Sequence, residues 1–197
     1  MATKLKAAPR AKARTTPSGE SKRMAYGDVP GFIRAMRSSD GDAVAQDALE
    51  WLILTVTKTN ATLGARLAEV SEKQAAWTVP AERAETGQPY VVPLSPRALE
   101  IFAARRKGRS GKSDLLFEAE PGKALSSAAM LMLMRRLKSA AVPHGFRYSF
   151  RAWAIECANG ARASKGSLEA RRRLFEDWAA FCAGGEAMPR GQRRASR

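Results

Sequence analysis

The sequence predicts one α+β domain that is mainly α-helical and carries a small antiparallel β-sheet. Apolar residues recur with helical spacing or fill alanine-rich stretches over most of the chain, whereas only two short runs are rich in β-branched and aromatic residues. Serine, proline and glycine clusters separate these segments. With 197 residues, 45% of them hydrophobic, the chain can form one core with two tails, and we place the domain at residues 24–185.

Two helices are predicted at the start of the domain. The stretch "YGDVPGFIRAMRSSDGD" contains a short helix over residues 30–37, which ends at a Ser/Asp/Gly cluster. The stretch "AVAQDALEWLILTVTKT", residues 43–59, predicts a long apolar helix that is buried nearly all round in its last turns. Its "WLILTVT" part has the composition of a strand, but the alanine-rich approach supplies the length of a helix. We therefore predict a helix there.

The sheet is predicted as a hairpin with a long loop. Its strands are the runs Trp77–Val79 and Tyr90–Leu94, which a polar segment containing glycine separates. Directly afterwards, Ser95 and Pro96 form a helix start, because serine caps a helix and proline is favoured at the first helical position. A helix is therefore predicted over "PRALEIFAARRK".

The second half of the domain is predicted to be helical apart from its linkers. The string "GRSGKS" predicts a flexible loop, and "DLLF" after it predicts a short strand or an extended segment. Three helices follow, with the linker "NGARASKG" before the last of them: "SSAAMLMLMRRLKSA", "GFRYSFRAWAIECA" and "SLEARRRLFEDWAAFCA".

The formal charge of +15 is concentrated at the two ends. Residues 1–23 carry seven Lys/Arg and one Glu, and residues 189–197 carry four Arg and no acid. Such segments lack the apolar residues that offset chain entropy, so we predict a disordered basic arm over 1–23 and a disordered basic tail over 186–197. A polyanion is the expected partner, and nucleic acid is favoured over a membrane because no amphipathic apolar face accompanies the charge. The alternative is that the tails only add solubility.

Several other classes of protein are disfavoured. No apolar run reaches the roughly 18 residues that a membrane span needs, and the N-terminus has no apolar signal-peptide core. Its Arg/Ser-containing, acid-poor start suggests a transit peptide, but residues 1–23 show no helical apolar stripe. Cys157, Cys182 and the single His144 are too few for a disulfide framework or a metal site. We therefore expect a cytoplasmic protein with free, buried thiols, no metal and no cofactor.

Seven phrases form a pattern from Tyr26 to about Cys182: "YGDVPGFIRAMR", "ALEWLILT", "GARLAEV", "AWTVPAER", "VPLSPRALEIF", "HGFRYSFRAWA" and "RRRLFEDWAAFC". In this order and spacing they resemble the catalytic domain of phage-type tyrosine recombinases, the integrases. The resemblance implies a helical domain with a small antiparallel sheet, which agrees with the prediction above. It also implies double-stranded DNA as partner, and DNA integration and recombination as the family activity. Where the family has further DNA-binding domains before this one, we expect the basic arm in their place.

The resemblance implies a definite chemistry. A tyrosine attacks the scissile phosphate, two arginines and a histidine-type residue stabilise the pentavalent phosphate, and a hairpin lysine protonates the leaving 5′ oxygen. The family pattern His-x-x-Arg is present as His144 and Arg147. Their spacing puts both side chains on one helix edge, where they could hold one phosphate. Locally, a lone histidine beside an apolar face is more often a packing residue, but the resemblance favours a site.

Two family positions are altered. The first arginine, which the family has in the turn after "ALEWLILT", becomes Lys58, which keeps the charge but loses the planar bidentate fork. The hairpin lysine becomes Glu85, two residues before Gly87. A carboxylate there repels phosphate and, ionised at neutral pH, does not protonate a leaving oxygen. Arg66 matches a non-catalytic family position and does not replace the missing arginine.

The resemblance leaves the chain without a nucleophile. In the family, a second histidine or tryptophan and the nucleophilic tyrosine lie between the His-x-x-Arg motif and the final helix, but here "ANGARASKG" leads directly into that helix. Aligned by counting instead, Phe181 takes the tyrosine's place and has no hydroxyl. On a helix, Tyr148 points about 100° away from Arg147, so it is a poor substitute for the nucleophile. The other tyrosines of the chain are Tyr26 and Tyr90.

We therefore predict a degenerate recombinase domain that binds DNA with little sequence preference and does not cleave strands, with His144, Arg147 and Lys58 as phosphate contacts. One alternative is an active fragment that needs a nucleophile from a partner protomer, although every copy lacks the residue. Others are an unstable remnant of a mobile-element integrase, which would expose apolar surface, and a DNA-binding regulator. Self-association or association with a full-length integrase stays open. Bound to DNA, the protein would lie at a bacterial nucleoid.

Overall fold

The computed structural model describes residues 22–107, 113–157 and 167–185. The predicted arm up to residue 21, the predicted tail 186–197, most of the linker "GRSGKS" and all of "NGARASKG" lie outside the described residues. The helices are α1 (Val29–Arg37), α2 (Ala43–Thr55), α3 (Thr59–Leu63), α4 (Pro96–Arg106), α5 (Ser127–Arg136), α6 (Phe146–Cys157) and α7 (Leu168–Cys182). The strands are β1 (Val70–Ser71), β2 (Ala76–Val79), β3 (Tyr90–Pro93), β4 (Glu118–Glu120) and β5 (Lys123–Ala124). The predicted mainly α-helical α+β fold is confirmed.

Helix α2 runs through the core, and its Trp51 is completely buried. The prediction of a helix over "WLILTVT" is confirmed as far as Thr55, but the predicted continuation to Thr59 is wrong. The helix ends because Val56 adopts a left-handed conformation, with φ of 55°, which few non-glycine residues adopt. Buried threonine hydroxyls stabilise this turn through hydrogen bonds of 2.9 Å between Thr55 and Thr57 and 3.0 Å between Thr57 and Thr62.

The predicted hairpin is confirmed as strands β2 and β3 of a three-stranded antiparallel sheet with the order β1-β2-β3. Trp77 lies opposite Val92, and Val79 lies opposite Tyr90. Strand β1 was not predicted because two residues are too short for an alternating pattern. After the sheet, Ser95 caps α4 as predicted, since its side chain accepts a 3.3 Å hydrogen bond from the backbone N–H of Ala98.

A second antiparallel pair, β4 and β5, corrects the prediction of a single small sheet. Within "DLLF", Leu115 forms only an isolated bridge with Arg66, and the strand begins at Glu118. The pair is exposed and mostly charged, so it lacks the apolar alternation by which strands are recognised. A turn at Gly122, whose φ is +78°, joins the two strands.

Aromatic side chains hold α7 against α2 and α6. The Trp178 ring is completely buried, with its centroid 5.1 Å from that of Trp153 and 5.5 Å from that of Phe150. Its Nε1 donates a 2.8 Å hydrogen bond to the carbonyl of Ile53 in α2. Phe181 stacks on the same cluster, so the position that counting assigned to the nucleophile holds a buried core residue.

The core of the described residues is largely covered. Their exposed large hydrophobic side chains are those of Met132, Ile155 and Leu168. The extensive uncovered apolar surface that an unstable remnant requires is not found in residues 22–107, 113–157 and 167–185. Both cysteines are free as predicted, but Cys157 is half-buried and only Cys182 is buried.

A buried carboxylate joins three helices. Glu50 of α2 is 1% exposed and accepts hydrogen bonds from Arg37 of α1 and Arg97 of α4, the latter at 2.7 and 3.2 Å. Burial acts to raise the pKa of Glu50, but the hydrogen bonds from both arginines outweigh burial and the pKa is lowered. Glu50 is therefore ionised at neutral pH, and its two arginines are already engaged by this carboxylate.

Candidate functional site

An open groove of about 780 Å³ lies between the start of α3, the β2–β3 loop and helices α6 and α7. Its apolar lining includes the aromatic rings of Phe150 and Phe175, whose centroids are 5.5 Å apart. Its charged lining is mainly basic and, among the described residues, includes a single carboxylate, that of Glu85. The basic lining residues are Lys58, Arg83, Arg147, Arg151 and Arg171. The three sequence-predicted site residues, His144, Arg147 and Lys58, all line this groove.

Lys58 reaches the groove because α2 ends early. The left-handed turn at Val56 redirects the chain, and Lys58 then lies in extended conformation as the residue that precedes α3. The apolar pattern suggested a helix through Lys58, in which this side chain would follow the periodicity of α2, whereas the family resemblance placed Lys58 in a turn after that helix, as is found. Its ammonium forms an ion pair with Glu85, and the side chain is about one-third exposed.

His144 and Arg147 flank the start of α6. His144 lies in the 3₁₀ turn Pro143–Gly145, and Arg147 lies in the first turn of α6. The prediction that both residues lie on one helix edge is therefore wrong, because the helix begins only after His144. The turn is packed against the described start of the chain. A Cβ at Gly145 would come within 2.4 Å of the Lys22 carbonyl oxygen, which accepts a 3.1 Å hydrogen bond from the N–H of Val142.

Glu85 joins the two cationic residues. Nη1 and Nη2 of Arg147 lie 3.2 and 3.4 Å from Oε1 and Oε2 of Glu85, and the Lys58 ammonium contacts the same Oε1. Hydrogen bonds from Lys58 and then Arg147 lower the pKa of the Glu85 carboxyl. The carboxylate is therefore charged at neutral pH and neutralises part of the basic lining.

His144 is neutral at physiological pH. Burial lowers its pKa, and the positive charges of Arg147 and Lys58 lower it further. Its ring packs edge-on against Tyr148, with 5.7 Å between centroids. His144 therefore offers a neutral hydrogen-bonding group rather than a third cation.

Three basic residues of the groove were not predicted from the sequence. Arg151 lies one helical turn after Arg147 on α6, and Arg171 lies on α7. Neither forms an ion pair with any of the described residues. The i, i+4 spacing of Arg147 and Arg151 was a signal available in the sequence, whereas Arg171 gave none. A third, Arg83, lines the groove but pairs with Glu69.

The tyrosines differ in their surroundings. Tyr148 and Tyr90 line the groove, although Tyr148 is offset around α6 from Arg147. Burial raises the pKa of Tyr90. The hydroxyl of Tyr26 donates to Glu156, and this hydrogen bond is the main reason that the pKa of Tyr26 is raised to about 12.

Other predicted features lie away from the groove. Arg66 is not among its lining residues and pairs with Asp114, in agreement with a non-catalytic position. In the described ranges, no group of three or more His, Cys, Asp and Glu side chains is arranged to hold a metal ion. No described helix combines the length and the apolar character that crossing a bilayer requires.

The chain is similar in sequence to two prophage integrases of Escherichia coli K12. It is 35% identical to IntZ over 129 residues, which are 62% of this chain and 31% of that protein. It is 27% identical to IntA over 123 residues, which are 60% of this chain and 30% of that protein. The chain thus spans less than a third of the length of these relatives. No protein-family model matches the chain.

Solved structures with the same fold are tyrosine recombinases. The Tn1549 transposon integrase, solved with circular intermediate DNA, superposes with a TM-score of 0.57 at 13% identity, covering 84% of this chain and 59% of that one. XerH, solved bound to its difH substrate, gives 0.56 at 15% identity, with 85% and 56% covered. XerA recombinase gives 0.53 at 17% identity, with 78% and 60% covered. In sequence the chain is similar to prophage integrases and in fold it is similar to tyrosine recombinases, and both likenesses agree with the resemblance to a phage-type tyrosine recombinase domain.

Proposed function

We propose that the chain binds double-stranded DNA through the cationic groove and its basic terminal segments, with little sequence preference and without cleaving strands. The observation that carries this proposal is the groove itself, whose described charged lining consists of five basic side chains and one carboxylate. Lysine and arginine side chains are the usual contacts of DNA phosphates, and such contacts position a protein without reading bases. The similar Tn1549 integrase and XerH were solved with DNA, which supports the same partner here.

Within the groove we assign Lys58, Arg147 and His144 to one phosphate. Arg147 can present two donors to phosphate oxygens, Lys58 adds a point charge, and neutral His144 adds a hydrogen bond. Arg151 and Arg171 extend the basic lining beyond this position and form no described ion pair that would neutralise them. The groove therefore offers positive charge to a backbone longer than one phosphate.

The terminal segments add the larger part of the charge. Residues 1–23 and 189–197 together contribute +10 of the formal +15. Their attraction to DNA comes from released counterions and does not depend on base sequence. With DNA as the partner, we place the protein in the cytoplasm, at the nucleoid of a bacterial cell. Association with a second copy or with a full-length integrase remains a prediction from the family resemblance.

Deleting residues 1–21 should weaken binding and flatten its salt dependence. This deletion removes five Lys/Arg but keeps Lys22, whose carbonyl holds the turn before α6. Because each lost phosphate contact lowers the slope of log affinity against log salt by about 0.9, we expect the slope to fall by about 3–4. Fluorescence anisotropy titrations with duplex DNA at several salt concentrations measure this slope. A matched variant with those five residues changed to glutamine should behave alike, and an unchanged slope in both would contradict a role for the arm.

Arg151→Ala should weaken binding and lower the salt slope by about 1, because it removes one phosphate contact from the groove. Arg173→Ala is the matched control, since Arg173 is a 72% exposed residue of α7 that pairs with Glu169 and does not line the groove. The control should leave the slope nearly unchanged. If both substitutions act equally, only general positive charge matters and the groove is not the binding site.

A further inference from the structure

The cluster of Lys58, Glu85 and Arg147 has the arrangement of an oxyanion site that is already filled. Arg147 directs both terminal nitrogens at the two carboxylate oxygens of Glu85, at 3.2 and 3.4 Å, and Lys58 contacts one of them. A guanidinium binds a phosphate with the same parallel pair of donors, because phosphate and carboxylate both present two neighbouring oxygens. The Glu85 carboxylate therefore lies where a phosphate of bound DNA would contact these two cations.

The contact is open to exchange with solvent anions. The side chains of Lys58, Arg147 and Glu85 are 36%, 34% and 47% exposed. Charge-assisted hydrogen bonds are usually shorter than the two that Arg147 makes, and exposed ion pairs contribute little net stability. An incoming phosphate can thus reach both cations and replace the carboxylate without uncovering the core.

Glu85 also belongs to a different part of the fold from its two partners. It lies between β2 and β3, after the 3₁₀ turn Ala81–Arg83, whereas Lys58 precedes α3 and Arg147 lies in α6. The loop turns again at Gly87, where φ is +64°. Because neither cation lies on this loop, withdrawal of the carboxylate does not require the backbone of Lys58 or Arg147 to move.

We propose that Glu85 is an internal competitor for the phosphate position, so that Lys58 and Arg147 hold DNA only after its carboxylate is displaced. The inference rests on the proposed function, because it concerns how that groove engages a DNA phosphate. Glu85 lowers the affinity for phosphate in two ways: it compensates the charge of both cations, and it occupies their donors. Removing its charge while keeping its shape, as Glu85→Gln does, should therefore open the site.

The test compares wild type, Glu85→Gln, Arg147→Ala and the double variant. For duplex DNA, Glu85→Gln should bind about tenfold more tightly, with a salt slope steeper by about 1. Arg147→Ala should cost about twofold in wild type and about tenfold in the Glu85→Gln background, because only in that background does Arg147 contact phosphate without first displacing a carboxylate. Inorganic phosphate should raise the melting temperature of Glu85→Gln more than that of wild type.

Glu82→Gln is the matched control, since Glu82 is exposed in the same β2–β3 connection, does not line the groove and forms no described ion pair. An equal gain from Glu82→Gln, or an equal loss from Arg147→Ala in both backgrounds, would overturn the competitor role. If duplex DNA binds none of the variants but phosphate still stabilises Glu85→Gln selectively, the proposed function fails and the oxyanion site stands. If phosphate shows no such difference while duplex DNA binds, the inference fails alone.

Discussion

Replacing Trp178 with alanine is expected to lower the free energy of unfolding by about 3–5 kcal/mol, as for other large aromatic side chains removed from a core. The ring is completely buried among Phe150, Trp153 and Phe181 of α6 and α7. Its loss also leaves the Ile53 carbonyl without the 2.8 Å hydrogen bond that ties α7 to α2. Urea unfolding followed by circular dichroism measures the change.

Two variants separate the contributions to this effect. Trp178→Phe keeps most of the apolar ring but loses the Nε1 donor, so we expect an intermediate loss of about 1–2 kcal/mol. Met132→Ala alters a side chain that is 64% exposed, and should change stability by less than about 0.5 kcal/mol. Equal stability of Trp178→Ala and Met132→Ala would mean that α7 is not packed on the core in solution.

The chain is expected to form no covalent adduct with DNA, and the combination of Lys58→Arg and Glu85→Lys is expected not to create one. Those substitutions restore a bidentate phosphate contact and a general acid, which lower the barrier only for a nucleophile that is present. Clamp, acid and nucleophile act as one unit, so a partial repair leaves the defect of the missing part.

The surroundings of the tyrosines support this expectation. The hydroxyl of Tyr26 is engaged by Glu156 and has a pKa of about 12, and burial raises the pKa of Tyr90, so both resist forming a phenolate. Tyr148 has the best position, since it lines the groove beside His144. Tyr148 is therefore the tyrosine to substitute in a test for adduct formation.

A nicked half-site substrate, with the products run on a denaturing gel, detects an adduct directly, and a full-length integrase with its own half-site is the positive control. Restoring the adduct should require, in addition to Lys58→Arg and Glu85→Lys, reinsertion of the tyrosine-bearing segment of a full-length relative between Asn159 and Ser167. An adduct in the unmodified chain that disappears in Tyr148→Phe would show that the groove retains a working nucleophile. That result would contradict the proposal that the chain does not cleave DNA strands.

Local patterns in the sequence determined most of the secondary structure. Ser95 and Pro96 start α4 as capping preferences require, the β-branched runs form β2 and β3, and the spacing of apolar residues sets α5, α6 and α7. These elements could be predicted because capping and apolar periodicity depend on residues that are close together in the sequence. The ordered motifs that carried the family resemblance also placed His144, Arg147 and Lys58 at one site, and all three line the groove.

The partners of those residues were decided by the tertiary structure alone. Arg147 and Glu85 are 62 positions apart, and no spacing rule connects them; they meet because the β2–β3 loop comes up beside the start of α6. The sequence identified Glu85 as a reversed charge, but the folded chain makes it the bridge between two cations. The end of α2 at Val56 is similar, since buried threonine hydroxyls stabilise a backbone conformation that valine itself disfavours. Periodicity and capping report on contacts within a segment, whereas ion pairs and turns of this kind depend on which segments the core brings together.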